Sequence, residues 1–173
     1  EQLLYELSLQ NTQVAQSLNQ IRSSLLTRLK ASRVSNKSIY WLNLYFFARD
    51  IHEQATSNYL HYEHIQQNFS RSDLIFRFQK NLRLQAQACQ DLAQCILYNQ
   101  PYQPSQESQK VLGHLESSLK DWIQQHPQNF EVKNLKLIFD NLKGMHEQFE
   151  QLQYAQPVPE NNTQTRQEHL NLL

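Results

Sequence analysis

Glycine appears only twice in this chain of 173 residues, at Gly113 and Gly144. Strand-rich domains reverse direction often, and their tight turns draw on glycine for its freedom at positive φ. A chain so poor in glycine is expected to be built from helices. Neither glycine sits in a phosphate-cradling loop. Apolar residues recur at steps of three and four along most of the length, the spacing of one helix face.

Five helical segments follow from that spacing. The first is predicted over about Glu1 to Lys30, with Leu4, Leu7, Val14, Leu18, Ile21 and Leu25 on one stripe that Asn11 interrupts. The second runs from about Lys37 to Gln67, weakened near Thr56–Asn58, and its first half, Ile39–Ala48, is apolar all round. A helix without a polar face is normally the one its neighbours surround, so this segment is expected at the centre. A capping box is predicted at the start of the third helix, with Ser70 as N-cap, Asp73 at N3, and Phe69 and Leu74 as a hydrophobic staple. Its core stripe reads Ile75, Phe78, Leu82, Gln85, Cys89, Leu92 and Ile96, and Pro101 closes it. Tyr102–Pro104 then makes a rigid corner. The fourth helix, about Ser105 to Gln125, groups Leu112, Leu115, Leu119 and Trp122; Pro127 separates it from the fifth. That one, about Asn129 to Tyr154, carries Leu135, Ile138, Leu142, Met145, Phe149 and Leu152 without a fault in the spacing. Beyond Ala155 the pattern stops in a polar, proline-containing stretch, with a further short helix expected from Gln167. The fold class is all-α, an antiparallel bundle of about five helices joined by short connections.

Charge narrows the function. Sixteen basic and sixteen acidic residues cancel, whereas a nucleic-acid binder concentrates basic excess, so no nucleic-acid partner is expected. Cys89 and Cys95 fall on different faces of one predicted helix and cannot bridge each other, and so few cysteines suit a reducing compartment. The chain starts polar at Glu1-Gln2, which does not read as a secretion signal. Its longest apolar run, Ile39–Ala48, is about half the ~20 residues that span a bilayer, so a soluble domain is expected.

Few residues suggest chemistry. His146-Glu147-Gln148-Phe149-Glu150 resembles the zinc-protease helix, but its fifth position is Glu where the motif has His; a solvated charged turn beside Met145 and Phe149 is the simpler account. His52-Glu53 meets Thr56 at the corresponding place. No Glu is followed by His three positions later, which excludes the di-iron bundle motif. His61 and His64 form at most a two-ligand surface pair. Asp50, His52 and Glu53, directly after the apolar half of the second helix, are the chief polar candidates, with Arg77, Lys80 and Arg83 on the third helix as expected partners. Such a cluster either binds an anion or another domain, or forms an interhelical salt-bridge network that fixes register. Asn11 and Gln85, on apolar stripes, are expected to set register as well. No catalytic residues, metal site or cofactor emerge, and the chain does not read as an enzyme.

Two stretches resemble a known family. Phe46-Phe-Ala-Arg-Asp-Ile-His-Glu-Gln-Ala55 and Ser72-Asp-Leu-Ile-Phe-Arg-Phe-Gln79, with Leu82–Cys89 and Asn99–Tyr102, are similar to the soluble region of fusaric-acid-resistance (FUSC) type inner-membrane proteins, in the YccS-like branch. Gln54 stands where that family usually has Arg. The resemblance implies a domain at residues 1–154 and a polar linker at 155–173 leading toward membrane helices. It further implies a cytoplasmic position at the bacterial inner membrane, contact with the membrane-embedded part of the same polypeptide, self-association, and efflux of aromatic carboxylic acids by the whole protein. It brings no catalytic residues. The alternative is a stand-alone helical scaffold that binds a partner helix in a groove.

Overall fold

A computed structural model describes residues 2–31, 35–57, 69 and 72–152. Within them the chain forms five helices and no strand: α1 Gln2–Ala31, α2 Asn36–Ser57, α3 Asp73–Leu97, α4 Gln106–Gln125 and α5 Val132–Leu152. The all-α bundle read from the sequence is the fold. Residues 58–68 and 153–173, where the second helix was expected to continue and the polar tail to begin, lie outside the described residues, as do His61 and His64.

Local chemistry explains most of the ends. Ser35 Oγ accepts the Ser38 backbone N–H at 3.1 Å and starts α2; Ser105 Oγ accepts that of Glu107 at 3.2 Å and starts α4. Asn129 Oδ1 accepts the Glu131 N–H at 2.8 Å just ahead of α5. Each fills a donor that the first helical turn leaves open. Along α1 the hydroxyls of Thr12, Ser17, Ser23 and Thr27 fold back onto carbonyls four residues earlier, the local acceptors a mid-helix hydroxyl finds.

The start of α3 corrects the predicted capping box. Ser72 is the N-cap, Asp73 the first helical residue, and Ser72 makes no side-chain cap bond. Asp73 instead binds Arg77 one turn on, at 2.5 Å. The end of α3 is set before Pro101 is reached. Asn99 adopts φ 54°, its N–H reaches Ile96 O at 3.3 Å, and the Gln100 N–H reaches Cys95 O at 2.8 Å. These are the paired bonds of a Schellman ending, with asparagine in glycine's customary place.

The core is the α3–α4–α5 unit, with α2 laid against α5 and α1 against α2. Leu135, Ile138 and Leu142 of α5 and Leu115 of α4 are fully enclosed. The central helix is therefore α5, which buries eight side chains, and not α2, where only Leu44 and Ile51 are buried. α2 is apolar all round because it has two apolar neighbours on different sides, not because it is surrounded. Phe47 meets Phe149 of α5 edge-on at 5.2 Å, while Ile39 and Phe46 stay 46% and 40% exposed. Tyr102 turns its ring inward from the α3–α4 corner to lie 6.2 Å from Phe149, and burial pushes its phenol up to about 12.

On α3 the buried residues are Leu74, Phe78, Asn81 and Leu92. The predicted stripe is thus one position out at several steps: Ile75 and Leu82 are half-buried, and Cys89, expected in the core, is at the surface while Cys95 packs against it. Neighbouring atoms still crowd the Cys89 thiol enough to raise its pKa.

Candidate functional site

The polar cluster anticipated between the second and third helices divides into three separate groups. At the first, Arg49 sits at the half-buried edge of α2 and donates to Asp50 Oδ1 from Nε at 3.0 Å and Nη2 at 2.7 Å. Glu53 stands 3.7 Å away on the same guanidinium. Arg49 also lies over the Phe46 ring, 5.1 Å from its centre. The Asp50 bond raises the Arg49 pKa further above its ordinary value. Both carboxylates of α2 are therefore committed to a cation on their own helix.

His52 points the other way, toward α1. Its Nε2 lies 2.6 Å from Asn11 Oδ1; a carbonyl oxygen only accepts, so Nε2 carries the proton. This pairs two polar residues from facing positions of α1 and α2.

Arg77, Lys80 and Arg83 form the third group, on α3. Arg77 holds Asp73, and Lys80 reaches Glu107 of α4 at 3.1 Å. Arg83 borders an open, shallow depression with Phe76, Gln79, Lys80 and Leu84. Among the described residues, Asp50 and Glu53 make no ion pair with Arg77, Lys80 or Arg83. The reason is geometric: α5 lies between them at this level. Gln85 of α3 donates to Leu142 O at 2.7 Å, and Gln54 of α2 approaches Gly144, where a Cβ would stand 3.5 Å from its Nε2. Asp50, His52 and Glu53 share a helix turn, but Arg77 and Arg83 are not their partners.

His146 departs from the solvated turn expected of it. It is 8% exposed, with Nε2 3.2 Å from a Glu150 oxygen. That is close enough for an ion pair with a protonated ring, yet Nε2 is not aligned for a hydrogen bond. No third ligand joins them: among the described residues no group of three His, Cys, Asp or Glu side chains converges on a metal position. The sequence reading also missed Glu131, 1% exposed at the threshold of α5. Asn134 donates to its carboxylate at 3.0 Å, and the start of a helix favours negative charge. The signal was there in Asn129-Phe-Glu131, an amide and a carboxylate two apart ahead of an apolar stripe.

The geometry offers packing, register and surface ion pairs. A family model described as "FUSC-like inner membrane protein yccS" matches residues 1–149. The chain belongs to this FUSC-like family. It is similar to the Inner membrane protein YccS of Escherichia coli (strain K12), 36% identical over 161 residues that cover 92% of this chain and 22% of the relative. An uncharacterized protein of Haemophilus influenzae is 30% identical over 164 residues, covering 94% and 23%. The chain thus spans less than a quarter of the length of either relative. No solved structure matches. Within this member of an inner-membrane family, no helix among the described residues is long and apolar enough to cross a membrane.

Proposed function

We propose that this chain is a non-catalytic regulatory or structural domain of a multi-span inner-membrane transport protein, held on the cytoplasmic side, and that the whole protein exports aromatic carboxylic acids. The observation that carries the reading is the family match across residues 1–149 in a stretch whose described helices do not cross a membrane. The polar groups support a non-catalytic role, because the candidates face packing partners instead of converging on a cleft. Two partners follow. The membrane-embedded part of the same polypeptide is one. A second copy is the other, and Leu7, Val14 and Ile21, each seven apart on α1 and 44–48% exposed, supply a row suited to it.

Reporter fusions to the native protein test the side: a fluorescent protein placed after Leu152 should fluoresce and alkaline phosphatase there should be inactive. The reverse pattern would put the domain in the periplasm. Efflux is tested separately, by the sensitivity of cells lacking the gene to aromatic carboxylic acids. Unchanged sensitivity would remove the transport reading and leave the domain assignment standing.

A further inference from the structure

Between Leu7 and Arg49 the sequence holds six of the chain's 16 basic residues, Arg22, Arg28, Lys30, Arg33, Lys37 and Arg49, and none of its 16 acidic ones. The other 130 residues carry the remaining ten basic residues against all sixteen acids. A chain of zero net charge is in fact two regions of opposite sign. The structure gathers the positive one at the end of the α1–α2 hairpin. Arg22, Arg28, Lys30 and Lys37 are all exposed, within about 15 Å of helix length from the turn. Helix capping accounts for Arg28 and Lys30, which lie in the last turn of α1 where the helix dipole favours cations.

An apolar groove opens at this end. It holds about 400 Å³ between Leu25 and Leu26 of α1 and Leu42, Tyr45 and Phe46 of α2, with Arg22 and Arg49 at its edge. Beside it Leu26, Ile39 and Phe46 are 46%, 46% and 40% exposed. Guanidinium and ammonium groups around exposed aliphatic and aromatic side chains match a surface with phosphates outside and hydrocarbon just beneath.

We propose that the basic end of the α1–α2 hairpin docks on the anionic lipid surface of the membrane. Arg22, Arg28, Lys30 and Lys37 meet headgroup phosphates while Leu26, Ile39 and Phe46 enter the acyl boundary. Charge complementarity selects an anionic surface, and the exposed apolar side chains select lipid over nucleic acid. The proposal requires only membership of an inner-membrane family and is independent of the efflux reading.

The test is flotation of the 173-residue chain with vesicles of phosphatidylcholine alone and with about one-third phosphatidylglycerol, at salt from about 0.05 to about 0.15 M. Binding is expected only to the anionic vesicles and should weaken with salt. Each basic residue removed is expected to weaken it about fivefold, so Arg28→Gln with Lys30→Gln should lower it about 25-fold. Lys37→Gln, on the other helix, is a second, independent variant, and Phe46→Ser should lower binding without changing the charge. Lys133→Gln with Lys136→Gln, exposed on α5, should leave binding unchanged. Circular dichroism of each variant verifies its helices. Equal binding to neutral vesicles, binding insensitive to both the α1 and the α2 substitutions, or binding to single-stranded RNA with none to vesicles would overturn the proposal.

Discussion

α1 and α5 carry the same kind of apolar stripe and meet opposite fates. α5, with 21 residues, buries eight side chains. α1, with 30, has none fully buried among its described side chains; Leu18, Leu25 and Leu29 are half-buried, and Leu7, Val14 and Ile21 stay nearly half exposed. Periodicity states that a helix has a seam; the number of neighbours covering it decides what the seam is worth. α5 is enclosed by α2, α3 and α4, whereas α1 rests on α2.

The sharpest test of that contrast is truncation on each helix. Leu142→Ala should cost about 2–5 kcal/mol of unfolding free energy, since a fully buried leucine leaves a cavity. Ile21→Ala should cost under about 1 kcal/mol. Urea unfolding followed by circular dichroism measures both; equal losses would mean that α1 is covered by another surface in solution. A second difference is alkaline. Tyr102 in the core stays neutral until about pH 12, while in the unfolded chain it ionises near 10. Its contribution is therefore complete below pH 10 and is lost as pH rises toward 12. Wild type should lose about 2 kcal/mol more than Tyr102→Phe across that window. Parallel curves for the two would show that the ring is accessible.

Within the hairpin the effects are smaller. A double-mutant cycle on Asn11→Ala and His52→Ala should return a coupling of about 1 kcal/mol, reporting the side-chain hydrogen bond that ties α1 to α2. Zero coupling would leave that pairing without a role in stability. Arg49→Ala should leave the urea midpoint nearly unchanged, because its ion pairs are largely exposed. A larger loss would show the α2 carboxylates to be more desolvated than their exposure implies.

The fold class and the α5 stripe were legible in the sequence because they depend on local spacing. The register of α3 was not. Positions 75, 78, 82, 85, 89, 92 and 96 and positions 74, 78, 81, 85, 88, 92 and 95 are both faultless three-four series, sharing Phe78, Gln85 and Leu92. Apolarity favoured the first, since the second contains Asn81. The structure buries Asn81, which donates to the Arg77 carbonyl at 2.9 Å, and that satisfied amide is what the pattern could not disclose. Asn11 and Gln85 reach neighbouring helices, as expected of polar residues on apolar stripes. The proposed link from Asp50 and Glu53 to Arg77 and Arg83 failed for a different reason: charge complementarity between sequence segments is silent about a third helix standing between them.

The seat of α2 on α5 has a mechanical consequence. α1 joins the three-helix unit through α2, whose Gln54 rests beside the bare backbone of Gly144 and whose Phe47 abuts Phe149. The hairpin is thus a lever whose bearing is the inner face of α2, where Leu44, Phe47 and Ile51 enter the core. A tilt imposed at its tip has that face as its route into the three-helix unit.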